Sequence, residues 1–190
     1  MERMERKDRI LKYQGAIVDM YDDIMVSPEG HVAHWDYIAH RKGASAVLPV
    51  RADGKILLVR QYRNAIERDT LEIPAGSRDS ADELHEVCAA RELEEETGYR
   101  AGKLTPLIKV ATTVAFCNEI VWVYLAEELS RGKQHLDEDE FVEVEAYTLS
   151  ELTQKIFAGE MQDAKTISAI LAYCEKVRGS SGAGAKEREG

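Results

Sequence analysis

Residues 76–99 read GSRDSADELHEVCAARELEEETGY, with carboxylates at Glu83, Glu92, Glu95 and Glu96. Glu92 and Glu96 are four positions apart, so on a helix they share one face, one turn apart, with Glu95 beside them. Like charges so placed repel, and a purely structural helix gains nothing from them. A hard divalent cation reverses that sign. Carboxylate oxygens suit Mg²⁺, which keeps several waters and bridges to phosphate oxygens. Arg91 lies four before Glu95 and can hold that carboxylate in place. The plainer alternative is a solvated acidic helix, the usual meaning of a charge run. The bracketing glycines, Gly76 and Gly98, favour the metal.

The elements that must position these groups follow from local pattern. Ser80 and Glu83 read as a capping box, which places a helix start near Ala81. Good helix formers continue to Thr97, and Gly98 is the expected C-terminal stop. Leu84 and Val87 should pack on the core, and His85, on the carboxylate side, reads as an exposed helix histidine, with contact to a phosphate as its alternative. The charged first dozen residues suggest a frayed end or a short helix. Residues 13–27 and 31–40 read as extended segments around a turn at 27–30. Segments 44–50 and 56–61 are strand-like and joined by Ala52-Asp53-Gly54, a hairpin signal. Further strands are expected at 70–74, 104–111, 120–126 and 142–148. In the third of these, Val121, Val123 and Leu125 alternate with Trp122 and Tyr124. Ser150 should cap a helix reaching Phe157. A last helix over 163–177 carries apolar spacing at Ile167, Ile170, Leu171 and Cys174. The low-complexity end, 179–190, is expected to be disordered. A mixed sheet with a few helices gives the α+β class.

The bulk numbers narrow the function. The 190 residues suffice for one well-buried domain with room for a small appendage. A net charge of −10 argues against nucleic-acid or acidic-membrane binding. A polyphosphate substrate would then need metal ions and a few placed arginines to reverse the local field. Three cysteines, Cys88, Cys117 and Cys174, without a CxxC pair suggest reduced thiols in a cytoplasm. No apolar run approaches the roughly 18 residues that a spanning helix needs, and the charged start is unlike a signal peptide.

The order Gly76, Glu83, Arg91-Glu92-Leu93, Glu95-Glu96, Gly98 resembles the Nudix box. That box marks enzymes that hydrolyse a nucleoside diphosphate linked to another moiety. The preceding segment, VLPVRADGKILLVRQYRNAIERDTLEIPAG, is similar to ADP-ribose pyrophosphatases in its VRQYR and LEIPAG runs. The resemblance spans roughly residues 30–175. It implies a Nudix fold, a mixed sheet sandwiched between helices, with an N-terminal antiparallel β-subdomain (1–40) exchanged in a homodimer, a catalytic domain (41–178) and the tail (179–190). It also implies Mg²⁺, with Mn²⁺ as a substitute, held by Glu92, Glu95, Glu96 and the carbonyl of Ala75. Arg63 resembles the arginine that contacts the diphosphate, and its alternative is a surface or inter-subunit ion pair. Trp35 resembles an adenine-stacking tryptophan, and its alternative is an anchor in the dimer interface. A general base is implied in the acidic loop DEDEFVEVEAY. Glu140 is the first choice and Glu138 the second, with Asp137 and Asp139 behind them.

Two departures from the family pattern matter. Six residues, 77–82, separate Gly76 from Glu83 where the pattern has five, so the Ala75 region can shift and Asp82 can compete with Glu83. The family's SPGF-like stretch is here Thr113-Val114-Ala115-Phe116. Its proline position is Val114, while Phe116 and Glu119 persist as candidate substrate contacts. ADP-ribose, cleaved to AMP and ribose 5-phosphate, is the implied substrate. The alternatives are GDP-mannose or a UDP-sugar, or a non-catalytic module that senses ADP-ribose. No nucleic-acid or membrane partner is expected.

Overall fold

The computed structural model describes residues 1–138 and 140–186, so Asp139 and 187–190 lie outside it. The chain opens with an antiparallel meander of β1 (Glu5–Gln14), β2 (Val18–Val26) and β3 (Val32–His40). The turn expected at 27–30 joins β2 to β3, with Val26 opposite Val32 and Gly30 at φ 89°. From Glu5 on, the first dozen residues are therefore strand, not a frayed end or helix. β2 supplies the ladder, and Arg9 grips the Asp23 carboxylate through two bonds of 2.6 Å while lying 3.5 Å from the Tyr37 ring. A strand exposed on both faces tolerates charge at every position.

The core is built on β4 (Ala44–Pro49), in which every residue is buried. It lies between β7 (Ala75–Ser77), antiparallel, and β9 (Ile120–Arg131), parallel. β8 (Tyr99–Ala111) pairs with the far side of β9. A strand covered on both faces needs such a continuous apolar run. Against one face pack Val47, Tyr124 and Ala126 with Ala89 and Leu93 of helix α1 (His85–Thr97). Against the other, Ala46, Leu48, Val121, Val123 and Leu125 meet three further elements. These are β5 (Ile56–Arg63), α2 (Leu149–Phe157) and α3 (Ala164–Lys186). The alternation read in β9 thus divides two cores. β5 sits in a second antiparallel sheet between β10 (Val142–Tyr147) and β6 (Arg68–Glu72). The mixed sheet with helices on both faces, plus an antiparallel N-terminal sheet, is the expected α+β architecture.

Three local expectations change. β4 and β5 do not form a hairpin. Both edges of β4 are taken by β7 and β9, so only a bridge between Val50 and Ile56 survives beyond the turn at Gly54. Thr148 caps α2 in place of Ser150. Its hydroxyl accepts the Glu151 N–H at 3.2 Å while the Glu151 carboxylate accepts the Thr148 N–H at 2.7 Å. α3 continues past Val177 to Lys186, since a nucleated helix adds a hydrogen bond with each residue. The expected disordered end, 179–190, falls partly on this helix, and 187–190 lies outside the described residues. Ile170 and Cys174 are buried as the spacing predicts. Among the described residues, no helix is long and apolar enough to cross a membrane.

Candidate active site

α1 starts at His85, four residues later than the capping box predicts, and Leu84 caps it without a side-chain bond. The box fails because Glu83 is engaged elsewhere. Its carboxylate accepts the Asp79 N–H at 2.7 Å and faces the Arg91 Nε at 3.2 Å. The loop with the extra residue is closed by Arg78, which donates to the carbonyls of Ala81 and Glu83 at 2.8 Å and of Lys42 at 2.6 Å. Asp82 is left exposed and does not replace Glu83. At the other end Gly98 takes φ 69° and donates its N–H to the Glu94 carbonyl at 2.8 Å.

The buried stripe of α1 comprises Cys88, Ala89, Glu92, Leu93, Glu96 and Thr97. Leu84 and Val87 face solvent, at 70% and 53% exposure, and do not pack on the core. The helical period puts 88, 92 and 96 in one row with 89 and 93, which turns 87 outward. Glu92 and Glu96 thus lie on the core-facing side, between helix and sheet. His85 is half-buried rather than exposed. Its ring stacks on Trp122 at 4.7 Å, and its Nδ1 lies 3.0 Å from the Ser45 hydroxyl.

Arg91 gathers the acidic side chains. Its Nη1 donates to Glu92 Oε1 at 2.7 Å and to Glu95 Oε2 at 2.8 Å, and Nη2 donates to the Ser77 carbonyl at 3.0 Å. Burial pushes the Glu92 carboxyl up to about 7 against the pull of Arg91, with Glu95 and Glu140 adding to the rise. Glu96 is pushed up to about 8 by burial and then by Glu92 and Glu140, against the Ala75 backbone and Arg63. Glu96 Oε2 is buried without a hydrogen-bond partner. A Cβ at Gly76 would run into the Glu92 carboxylate, so the glycine lets that carboxylate lie against the bare backbone. Two buried carboxylates, one with an orphaned oxygen, are short of positive charge. An all-oxygen set beside a bare backbone suits a hard divalent cation. As the side chains stand, no three His, Cys, Asp or Glu among the described residues converge on one point.

Ala75 and Gly76 also line a cleft of about 530 Å³, together with Arg63, Glu72, Glu119 and Lys165. Arg63 donates through Nε and Nη2 to the two oxygens of Glu72, each at 2.7 Å. Burial opposes ionisation of Glu72, yet Arg63, Lys165 and Thr70 together hold its carboxyl down at about 2. Glu119 accepts the Thr112 hydroxyl at 2.8 Å. Glu140 is half-buried, close enough to raise both Glu92 and Glu96, and lines a neighbouring groove with Tyr62 and Phe141. Glu138 is exposed. Trp35 and Phe116 stay outside the cleft, each about half exposed; the Phe116 carbonyl accepts the Ile38 N–H at 2.7 Å. The sequence reading missed Glu72 and Lys165. Glu72 stood in the quoted LEIPAG run, whereas Lys165 had no local signal.

A sandwiched mixed sheet, with an acidic helix bordering a cleft that holds an arginine, defines a Nudix-type domain. The chain matches the NUDIX domain over residues 39–170 and belongs to that family. It is 44% identical over 171 residues to the ADP-ribose pyrophosphatase of Bacillus subtilis (strain 168), covering 89% of this chain and 90% of the relative. It is 38% identical over 160 residues to the methanol dehydrogenase activator of Bacillus methanolicus, covering 83% and 85%. A crystal structure described as an ADP compounds hydrolase shares the fold, with a TM-score of 0.81 at 20% identity, covering 94% of this chain and 96% of that one.

Proposed function

We propose that this protein hydrolyses the diphosphate bond of ADP-ribose, releasing AMP and ribose 5-phosphate. The observation that carries this reading is the Glu92–Glu96 pair, buried and short of positive charge, beside a cleft walled by Arg63. The 44% identity to a pyrophosphatase of that substrate supports it. Mg²⁺, with Mn²⁺ as a substitute, would be held by Glu92, Glu95, Glu96 and the Ala75 carbonyl, supplying Lewis acidity and an acidified water. Arg63 uses one edge of its guanidinium on Glu72, and the other edge grips diphosphate oxygens. Glu140 takes the proton of the attacking water. An O–P bond forms, the bridging P–O bond breaks, and its electron pair leaves with the departing phosphate. Arg63 offsets charge that builds on the phosphoryl oxygens. Glu119 meets the sugar half.

The protein works as a cytoplasmic homodimer through its N-terminal sheet, which exposes Leu11, Tyr13 and Trp35 in the single chain. Trp35 and Phe116 serve the partner's cleft, with Trp35 stacking on adenine. The test is incubation with Mg²⁺ and ADP-ribose, ADP-glucose, GDP-mannose, UDP-glucose or NADH, with released monophosphate measured. Preference for ADP-ribose is expected, and preference for another sugar nucleotide replaces the substrate assignment. A second reading, activation of a dehydrogenase, is favoured by the 38% identity to a methanol dehydrogenase activator. Its test is the rate of a purified methanol dehydrogenase with and without this protein.

A further inference from the structure

Lys165 sits in the first turn of α3 and reaches across to β6. Its Nζ contacts Glu72 Oε2 and donates to Asp163 Oδ2 at 3.0 Å, and its side chain is 13% exposed. Each Glu72 oxygen therefore takes one Arg63 nitrogen and one further donor. Oε1 accepts from Arg63 Nε at 2.7 Å and from the Thr70 hydroxyl at 2.5 Å. Oε2 accepts from Arg63 Nη2 at 2.7 Å and from Lys165. The carboxylate cannot turn without breaking a bond on each oxygen, so its plane is fixed. The planar guanidinium that pairs with it edge to edge is fixed in turn. Arg63 Nη1 has no hydrogen bond among the described residues and belongs to the edge that Glu72 does not use.

Charge points the same way. A buried carboxylate with one cation draws that cation's charge onto itself. Here two cations share Glu72, and the sum of Arg63, Lys165 and Glu72 is positive. Asp163 also pairs with Lys165, and at the start of α3 its Oδ2 accepts the Thr166 N–H at 3.0 Å and the Thr166 hydroxyl at 2.5 Å. Lys165 thus divides its charge between Glu72 and Asp163, and the share that reaches Glu72 leaves part of the Arg63 charge for a diphosphate.

We propose that Lys165 is a positioning residue for the diphosphate. By sharing Glu72 it locks Arg63 with its second edge available to the cleft and leaves the guanidinium charge free to act on phosphate. The inference rests on the hydrolase reading above and on the role of Arg63 in it.

The test compares wild type, Lys165→Met, Lys165→Arg, Arg63→Met and the Arg63→Met/Lys165→Met double variant. ADP-ribose turnover with Mg²⁺ is measured, with melting temperatures alongside. Lys165→Met is expected to raise KM about tenfold, the scale of one charged hydrogen bond, with kcat within about twofold. Lys165→Arg should restore KM to within about threefold of wild type. The double variant should have the KM of Arg63→Met alone, because coupled residues do not add. A fall in melting temperature with KM unchanged would make Lys165 a structural cross-link and overturn the proposal. Multiplied KM effects in the double variant would also overturn it, since Lys165 would then touch the substrate itself. Should Lys165→Met not fold, Lys165→Gln carries the same comparison with a shorter, uncharged donor. If wild type binds ADP-ribose without turnover, Kd by calorimetry replaces KM, the hydrolase reading fails and the positioning role is judged separately. If it neither binds nor cleaves, both fall.

Discussion

Arg91 donates from one nitrogen, Nη1, to Glu95 Oε2 at 2.8 Å and to Glu92 Oε1 at 2.7 Å. The same guanidinium ties the Ser77 carbonyl and Glu83 to the helix, so the loop and the carboxylates are held by one side chain. A lysine keeps the charge but not the fork. Arg91→Lys should therefore lower kcat about 10–100-fold, the usual cost of disturbing groups that orient metal ligands. Stability should fall by about 2 kcal/mol, and thermal melts together with steady-state kinetics check both.

The charge deficit at Glu92 and Glu96 makes the fold itself respond to a cation. A ligand that binds only the folded state stabilises it by mass action, about 2.7 kcal/mol at a hundred times Kd. Mg²⁺ should raise the melting temperature by several degrees and a chelator should reverse the shift. Glu96→Gln, which removes the carboxylate that carries the orphaned Oε2, should abolish most of the shift. An equal Mg²⁺ shift in that variant would remove Glu96 from the ligand set.

How much of this was legible in the sequence depended on whether spacing alone decides geometry. Residues four apart on a helix share a face, so the Glu92–Glu96 relation could be read directly. Which face is buried could not. Leu84 and Val87 look like core residues, yet the sheet is met by Cys88, Ala89 and Leu93 with the two glutamates in the same stripe. The alternation in β9 was readable because its two faces enter different cores. β1 was not readable, since a charged strand open on both sides has no apolar period. Lys165 meets Glu72 across 93 residues, a contact that no local pattern encodes.

Glu72 predicts the acid limb of the stability curve. Its folded carboxyl titrates at about 2 against 4.5 for a free one. A depressed carboxylate contributes stability that is present above 4.5 and is lost as pH falls towards 2. The difference of about 2.5 units corresponds to about 3 kcal/mol for this buried group. Denaturant melts between pH 5 and pH 2.5 should show that loss. Glu72→Gln should be less stable than wild type at pH 6 and should lose less on acidification. Parallel curves for the two proteins would show that the Arg63–Glu72–Lys165 cluster does not set acid stability.

Glu140 and Glu138 lie two residues apart, and their surroundings separate them. Glu140 is half-buried and raises the Glu92 and Glu96 carboxyls, so its charge is felt at the proposed metal ligands. Glu138 is exposed. A general base contributes about 10²–10⁴ in rate. Glu140→Gln should lower kcat by that factor while KM for ADP-ribose and the Mg²⁺ melting shift change little. Glu138→Gln should stay within about twofold of wild type. Full activity in Glu140→Gln, with loss in Glu138→Gln, would move the base two residues upstream. That result would require the acidic loop to fold over the cleft when substrate binds.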